Sequence, residues 1–367
     1  MNTNQNTAPD RESSWEYGIV ITKGPDFAGS LEIPREFGGV PVLDIGERAF
    51  FCNKENTRVT IPEGVRSIGP YAFYGSHSIV DVIIPDSVKY IGDWAFHECG
   101  ALRDVTIGNG VKYIGERSFC GCTRLTHVTL GSGVEHIARG AFGGCRFLQD
   151  MAIPKDVRSI GDRAFSGCNM TSEIVLGNVT DIGVGAFLGC SGIVNVIMSK
   201  NVTSIADQLF AYCSSLESIS LPSGTLTSIG NSAFKGCTSL AYISLPYTVT
   251  NIGNSAFEDC TSLAKIVIPR TRANVRIGES AFQGCTGLNQ VVLQDNVICI
   301  EKSTFQGCTS LTDITIPDSV RSIGRLAFSG CSGLTNVSLP GHLENNLTND
   351  VFKGCSPALK TNYRSFE

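Results

Sequence analysis

Fifteen cysteines and five histidines are the residues of this chain whose types could do chemistry. Thiolates bind metals, form disulfides and attack electrophiles, and imidazoles bind metals or move protons. The spacing decides which of these is open. The histidines (His77, His97, His127, His136, His342) form no H-E-x-x-H pair, and neither a phosphate-cradling P-loop nor a G-x-S-x-G elbow is present. Cys120 and Cys122 make only a C-x-C step, without the paired C-x-x-C spacing of a structural zinc site. A Ser/His/Asp set assembled across distant segments stays open, since triads are recognised by geometry. A chain this uniform offers few irregular places for one, so the expectation is no enzyme, no cofactor and no metal.

Twelve of the cysteines, from Cys99 to Cys355, share another property: each lies three residues after a phenylalanine in a recurring phrase. The phrase reads I-G-x-x-A-F, and its Phe residues are Phe50, Phe73, Phe96, Phe119, Phe142, Phe165, Phe187, Phe210, Phe234, Phe257, Phe282, Phe305, Phe328 and Phe352. These fourteen copies are 22 to 25 residues apart, mostly 23. Gly follows Phe at the second place in ten copies, and Leu usually at the sixth. Apolar pairs such as Val105 and Ile107 come at the ninth and eleventh places, often followed by Pro.

Each part of the phrase has a structural meaning. The V-x-I step has period two and places its apolar residues on one face of a short strand. Pro lacks an N–H and ends that strand. The Gly after Phe suits a corner with positive φ. The segment from Gly-x-x-Ala-Phe to Cys is too short for an ordinary helix and predicts a single helical or 3₁₀ turn. No coil can bury its own apolar residues, so identical coils must stack. Parallel strands about 4.8 Å apart then give a rod of roughly 60–65 Å. The stacked cysteines come within disulfide distance of one another, but their Cβ vectors run parallel. A column of buried, packed thiols is therefore expected, against rung-to-rung disulfides or a thiolate metal chain. Cys52, Cys120 and Cys299 lie off the column and are the expected reactive thiols.

The Phe-x-x-Cys-x-x-Leu-x-x-Val-x-Ile-Pro phrase, with its Ile-Gly-x-x-Ala-Phe partner, resembles the BspA-like leucine-rich repeats over residues 31 to 355. The resemblance implies a repeat solenoid: a curved, right-handed, leucine-rich-repeat-like coil stack with a parallel sheet of short strands and short helical or 3₁₀ turns. Departures are local, and the coils that carry them should be less regular. Ser76 stands at the first Cys position, Ala138, Ala206 and Glu301 replace the Gly after Ile, and Asn169–Thr171 lacks the regular Leu. The organisation expected is a disordered tail over 1–14, an N-terminal cap over 15–44, about 13–14 coils over 45–355 and a C-terminal tail or cap over 356–367. In the first cap, Trp15, Tyr17 and Phe37 are expected to close the open end of the core.

The totals narrow the partners. Apolar residues make up 42% and charged residues 17%, enough for a large core, and the net charge of −5 argues against nucleic acid. No apolar run approaches a membrane span, and the N-terminus has no signal-peptide pattern. Repeated residues build the fold, so the variable columns are left for recognition. The residue eight after Phe should point outward from the sheet, expected to be the concave face, and its acids cluster in the first half. Asp81, Asp104, His127, Asp150 and Glu173, with Tyr242 further along, are the expected partner-binding residues. On another face Arg66, Lys89-Tyr90, Lys112-Tyr113, Glu135-His136 and Arg158 form a basic, partly aromatic stripe. A solvated face that keeps the rod soluble is the plain alternative for such charges. The resemblance implies a surface or secreted protein that binds a host or matrix protein. The missing leader and the free thiols point instead to an intracellular scaffold or effector. Which partner, and which oligomeric state, the residues leave open.

Overall fold

The computed structural model describes residues 18–22, 29–171 and 173–364. They form a solenoid of stacked coils with three hydrogen-bonded seams running along it. The first seam is the sheet of longer strands. Gly29–Glu32, Asn56–Thr60, Asp81–Ile84, Asp104–Ile107 and His127–Thr129 pair in parallel in chain order. The same seam resumes as Ile174–Val175, Asn195–Ile197 and Ser218–Ser220, then Lys265–Val267 with Gln290–Val292, then Asp313–Thr315, Asn336–Pro340 and Lys360–Arg364. Leu31 pairs with Val59, in the strand register its pattern implies.

The second seam is the residue pair ending in the Ile of Ile-Gly. It begins with Ile19–Ile21 and Val40–Ile45 and continues through Ser67–Ile68, Tyr90–Ile91, Tyr113–Ile114 and His136–Ile137 to Ser159–Ile160 and Asp181–Ile182. It breaks there, restarts at Ser204–Ile205, and breaks again between Arg276–Ile277 and Cys299–Ile300. Each restart is the coil in which Ala206 or Glu301 replaces Gly. At Gly92 or Gly253 a Cβ would lie 2.6 Å from backbone of the preceding coil, so any side chain at this place requires the neighbouring coil to shift. Ala138 is accommodated, and its amide still donates to Ile114 O at 2.9 Å.

The third seam contains the phenylalanines, and it differs from the expected helical or 3₁₀ turn. Alternate amides bond within the coil and to the next coil. Phe96 N–H donates to Ser118 O at 2.7 Å, whereas Cys99 N–H donates to Phe96 O three residues back at 3.3 Å. This alternation needs left-handed residues. They stand two places after Phe in all fourteen copies and two places before it in thirteen, including Tyr71 (φ 55°), Trp94 (φ 59°) and Arg117 (φ 49°). Gly supplies the later position in ten copies, as its freedom at positive φ suggests. Among the described residues the one helical segment is the 3₁₀ turn Gly341–Leu343.

The core is made of columns. Phe73 through Phe328 are fully buried, with successive ring centroids 4.9 to 5.8 Å apart and planes within 16°. Phe37 does not close the end of the core. It lies in a hairpin strand, Glu36–Phe37 against Val40–Ile45, turned by Gly38 and Gly39 at positive φ, and is 51% exposed. Trp15, Tyr17 and the whole 1–14 tail lie outside the described residues. At the other end, Lys360–Arg364 adds a five-residue parallel strand to Asn336–Pro340.

Candidate functional site

The first seam turns alternate residues outward, because side chains along a strand point to opposite faces. In Asp104–Ile107 the burial alternates, with Asp104 and Thr106 exposed and Val105 and Ile107 in the core. Arg58, Asp81, Asp104, His127 and Asp150 are successive register partners across five coils. Four of the expected site residues therefore stand in one line. Glu173 is exposed at the same place in the next coil, just before Ile174–Val175. Tyr242 is 59% exposed but lies well along the rod, bridged to Lys265.

One ion pair, from Arg58, tempers the charge of this row, and His127 is hydrogen-bonded within it. Arg58 Nη2 lies 3.8 Å from Asp81 Oδ2, and His127 Nδ1 lies 3.0 Å from Asp104 Oδ1. One guanidinium faces four carboxylates from Arg58 to Glu173, so the row keeps a net charge of −3 with His127 neutral. Near the C-terminus the same face opens into a pocket of about 720 Å³ lined by Gln290, Asp295, Asp313 and Thr315, with Asp318 and Arg364. Its cation is already engaged: Arg364 donates to Ile316 O and to Asp318 at 2.6 Å.

The fifteen cysteines are all free. In the column, each Sγ donates to the carbonyl of the Phe one coil earlier, as in Cys99 to Phe73 O at 3.2 Å and Cys260 to Phe234 O at 3.1 Å. Ser76, three after Phe73 at the Cys place of the second copy, makes the same bond to Phe50 O at 2.9 Å. Burial pushes the thiols of Cys99, Cys190, Cys237 and Cys308 up to about 12. The three off-column thiols are not alike. Cys52 is exposed, whereas Cys120 is half-buried and its thiol is raised by that burial. Cys299 is pushed up to about 11 by burial and by its bond to Glu301 at 3.2 Å. Only Cys52 keeps the exposure expected of a reactive thiol. Among the described residues no three His, Cys, Asp or Glu side chains come together as a metal-binding group.

The second stripe is partly neutralised. Lys112 pairs with Glu135 at 2.8 Å, and Tyr90 stacks on Tyr113 at 5.2 Å. Burial, then the Asp93 charge, pushes the Tyr90 phenol up to about 12. An aromatic cluster on the third seam escapes the reading of columns eight and ten. Phe51, Tyr74 and His97 stack coil on coil, as do Tyr71 and Trp94, with Arg48 and Arg117 over the outer rings. His97 is 8% exposed, its Nδ1 makes no hydrogen bond, and burial lowers its basicity. The signal for this cluster lay in the residues one after and two before Phe.

The family model described as the BspA-type leucine-rich repeat region, in six copies, matches residues 44–172, 158–285 and 271–365. This chain belongs to that family. A search of curated protein sequences finds no match. Among solved structures, this BspA-type repeat chain is similar to a leucine-rich repeat protein from Bacteroides ovatus. The two share 24% identity over 98% of this chain and 100% of that one, with a TM-score of 0.52. It is also similar to a leucine-rich cell surface protein from Faecalibacterium prausnitzii (25% identity, 98% and 96% coverage, TM-score 0.48). A third is the T. pallidum leucine-rich repeat protein, at 30% identity over 48% of this chain and 83% of that one, with a TM-score of 0.44. The Bacteroides likeness bears on the fold, and the family on a protein-binding solenoid.

Proposed function

We propose that this BspA-type solenoid is a non-enzymatic adhesion or host-interaction protein. It binds a protein partner on the sheet of longer strands, through Asp81, Asp104, His127, Asp150 and Glu173. One observation carries the reading: register partners set Asp81, Asp104, His127 and Asp150 in a single outward row, with Glu173 exposed at the same place in the next coil, and the row keeps excess negative charge. Like charges stacked one coil apart repel, and the single Arg58 offsets only part of that repulsion, so a cationic surface laid on the row would be favoured. The partner surface is therefore basic. The family supports a surface or secreted location with a host or matrix protein as partner. Fifteen free thiols support a second reading, an intracellular scaffold, because reducing compartments keep thiols free.

The test combines Asp81→Asn, Asp104→Asn, Asp150→Asn and Glu173→Gln, with thermal melting as the folding control. Partner captured by the parent chain from matrix extract or cell lysate should bind less as salt rises. The variant should lose most of that binding and its salt dependence. Equal capture by parent and variant would overturn the acidic row as the docking site, and the extract that supplies the partner decides between the two locations.

A further inference from the structure

Beyond the acidic row, the same face changes character. The residue ten after Phe also points outward, and most coils place Thr or Ser there: Thr60, Thr106, Thr129, Thr315. Past Glu173 hydrocarbon returns at this place in two neighbouring pairs of coils, Val175 with Ile197 and Val267 with Val292, whereas before it only Ile83 and Ala152 are hydrocarbon. Val175 and Ile197 are direct register partners, 44% and 41% exposed. Val267, 39% exposed, pairs with Val292. Ser220 and Ser244, both exposed, lie between these pairs in the same column and carry smaller side chains than the apolar residues on either side. Tyr242 stands at its side, 59% exposed. The beside-column from Asn195 to Gln290 holds one charge, Lys265, and no carboxylate.

Strand formation does not require this hydrocarbon. Thr is β-branched and suits an outward strand position as well as Val or Ile. Its use in other coils shows that the fold accepts it there. The apolar stretch follows directly on the acidic one, Glu173 and Val175 being two residues apart in one coil.

We infer that the partner presents one extended segment lying along the rod in two parts, a basic half over Asp81 to Glu173 and an apolar half over Val175 to Val267. This inference rests on the proposed docking face and specifies its occupant. Each stretch spans four coil steps, about 19 Å at the usual parallel-strand spacing, which an extended chain covers with about six residues. Ile83, 64% exposed beside Asp81, gives the aliphatic stems of lysine or arginine an apolar surface within the acidic half.

The probe is a fluorescein-labelled twelve-residue peptide. One half carries three lysines and the other Val, Tyr and Val, all at alternate positions with serine between. Its control has the same composition with lysines and apolar residues interleaved. Fluorescence anisotropy against the full chain should show the two-block peptide binding at least ten-fold more tightly than the control. Combining Ile197→Thr, Val267→Thr and Tyr242→Ser should reduce that binding several-fold and leave its salt dependence unchanged. Combining Asp81→Asn, Asp104→Asn and Asp150→Asn should reduce it and flatten the salt dependence. Equal binding of the two peptides, no binding of either, or indifference to the apolar substitutions would overturn the two-part segment. Capture of the natural partner by the acid variants judges the acidic row separately, so failure of one idea is distinguishable from failure of the other.

Discussion

Each column thiol has one acceptor, the Phe carbonyl of the coil before, and that carbonyl also accepts an amide from its own coil. Ser76 shows what the position requires: a small side chain with one donor. Cys99, Cys190, Cys237 and Cys308 stay protonated in the fold, raised to about 12 by burial, whereas Cys355 in the last coil is lowered by the neighbouring Cys331 thiol. In the unfolded chain a thiol ionises near pH 8.5. For the four raised thiols the folded value is the higher one, so this stabilisation is complete below the unfolded value and is lost as pH rises toward the folded value. Once the pH is well inside that window, each further unit costs about 1.4 kcal/mol per thiol, or about 5 kcal/mol for these four together. Urea denaturation in the presence of reductant should give a midpoint that is flat to about pH 8 and falls steeply by pH 10. A flat profile would show that the thiols ionise equally in both states, and Cys99→Ser with Cys237→Ser should soften the fall.

At the level of the element, the Ile-Gly pair is a close backbone contact between coils. Its amide bonds to the coil before, as in Gly253 to Ile229 O at 2.8 Å, and the hydrogen in place of a side chain allows that approach. A methyl at Gly253 would meet Asn231 N and Gly230 C at 2.6 Å. Gly253→Ala should therefore cost about 1–3 kcal/mol through overpacking, read as a lowered melting temperature. An unchanged melting temperature would mean that the coils slide apart freely at this seam. The breaks before Ala206 and Glu301 are where the chain already departs from Gly. The sequence showed these replacements, but whether the neighbouring backbone would make room was not written in either residue: Ala138 keeps its bond and the seam gives way at the other two coils.

Across the whole molecule, stability is a sum of coil-to-coil interfaces, and the Phe column runs through nearly all of them. An interior ring such as Phe210 touches a ring on each side, at 5.6 and 5.8 Å, whereas the terminal Phe352 is partly exposed and stacks only on Phe328 among the described rings. Phe210→Ala should cost about 3–5 kcal/mol, as large core truncations do. Phe352→Ala should cost well under half of that. Denaturation followed by circular dichroism would rank the two, and equal losses would mean that the solenoid is not organised coil by coil.

What the sequence settled by itself was the composition of each coil. A period near 23 residues with Phe, Cys, Leu and Val-x-Ile at fixed places requires stacking, because a lone coil has nothing to bury its apolar side chains against. The outward acidic row followed from the same arithmetic, since strand side chains alternate. Tertiary structure decided the rest. It set the left-handed residues two before Phe, such as Trp94, whose conformation is fixed by amides bonding to the next coil rather than by their own propensity. It paired Arg58 with Asp81 and His127 with Asp104, and it left Val175 and Ile197 in water. A residue's column is read from its own coil, but its partners lie in the neighbouring coil, and only stacking determines how closely the two approach.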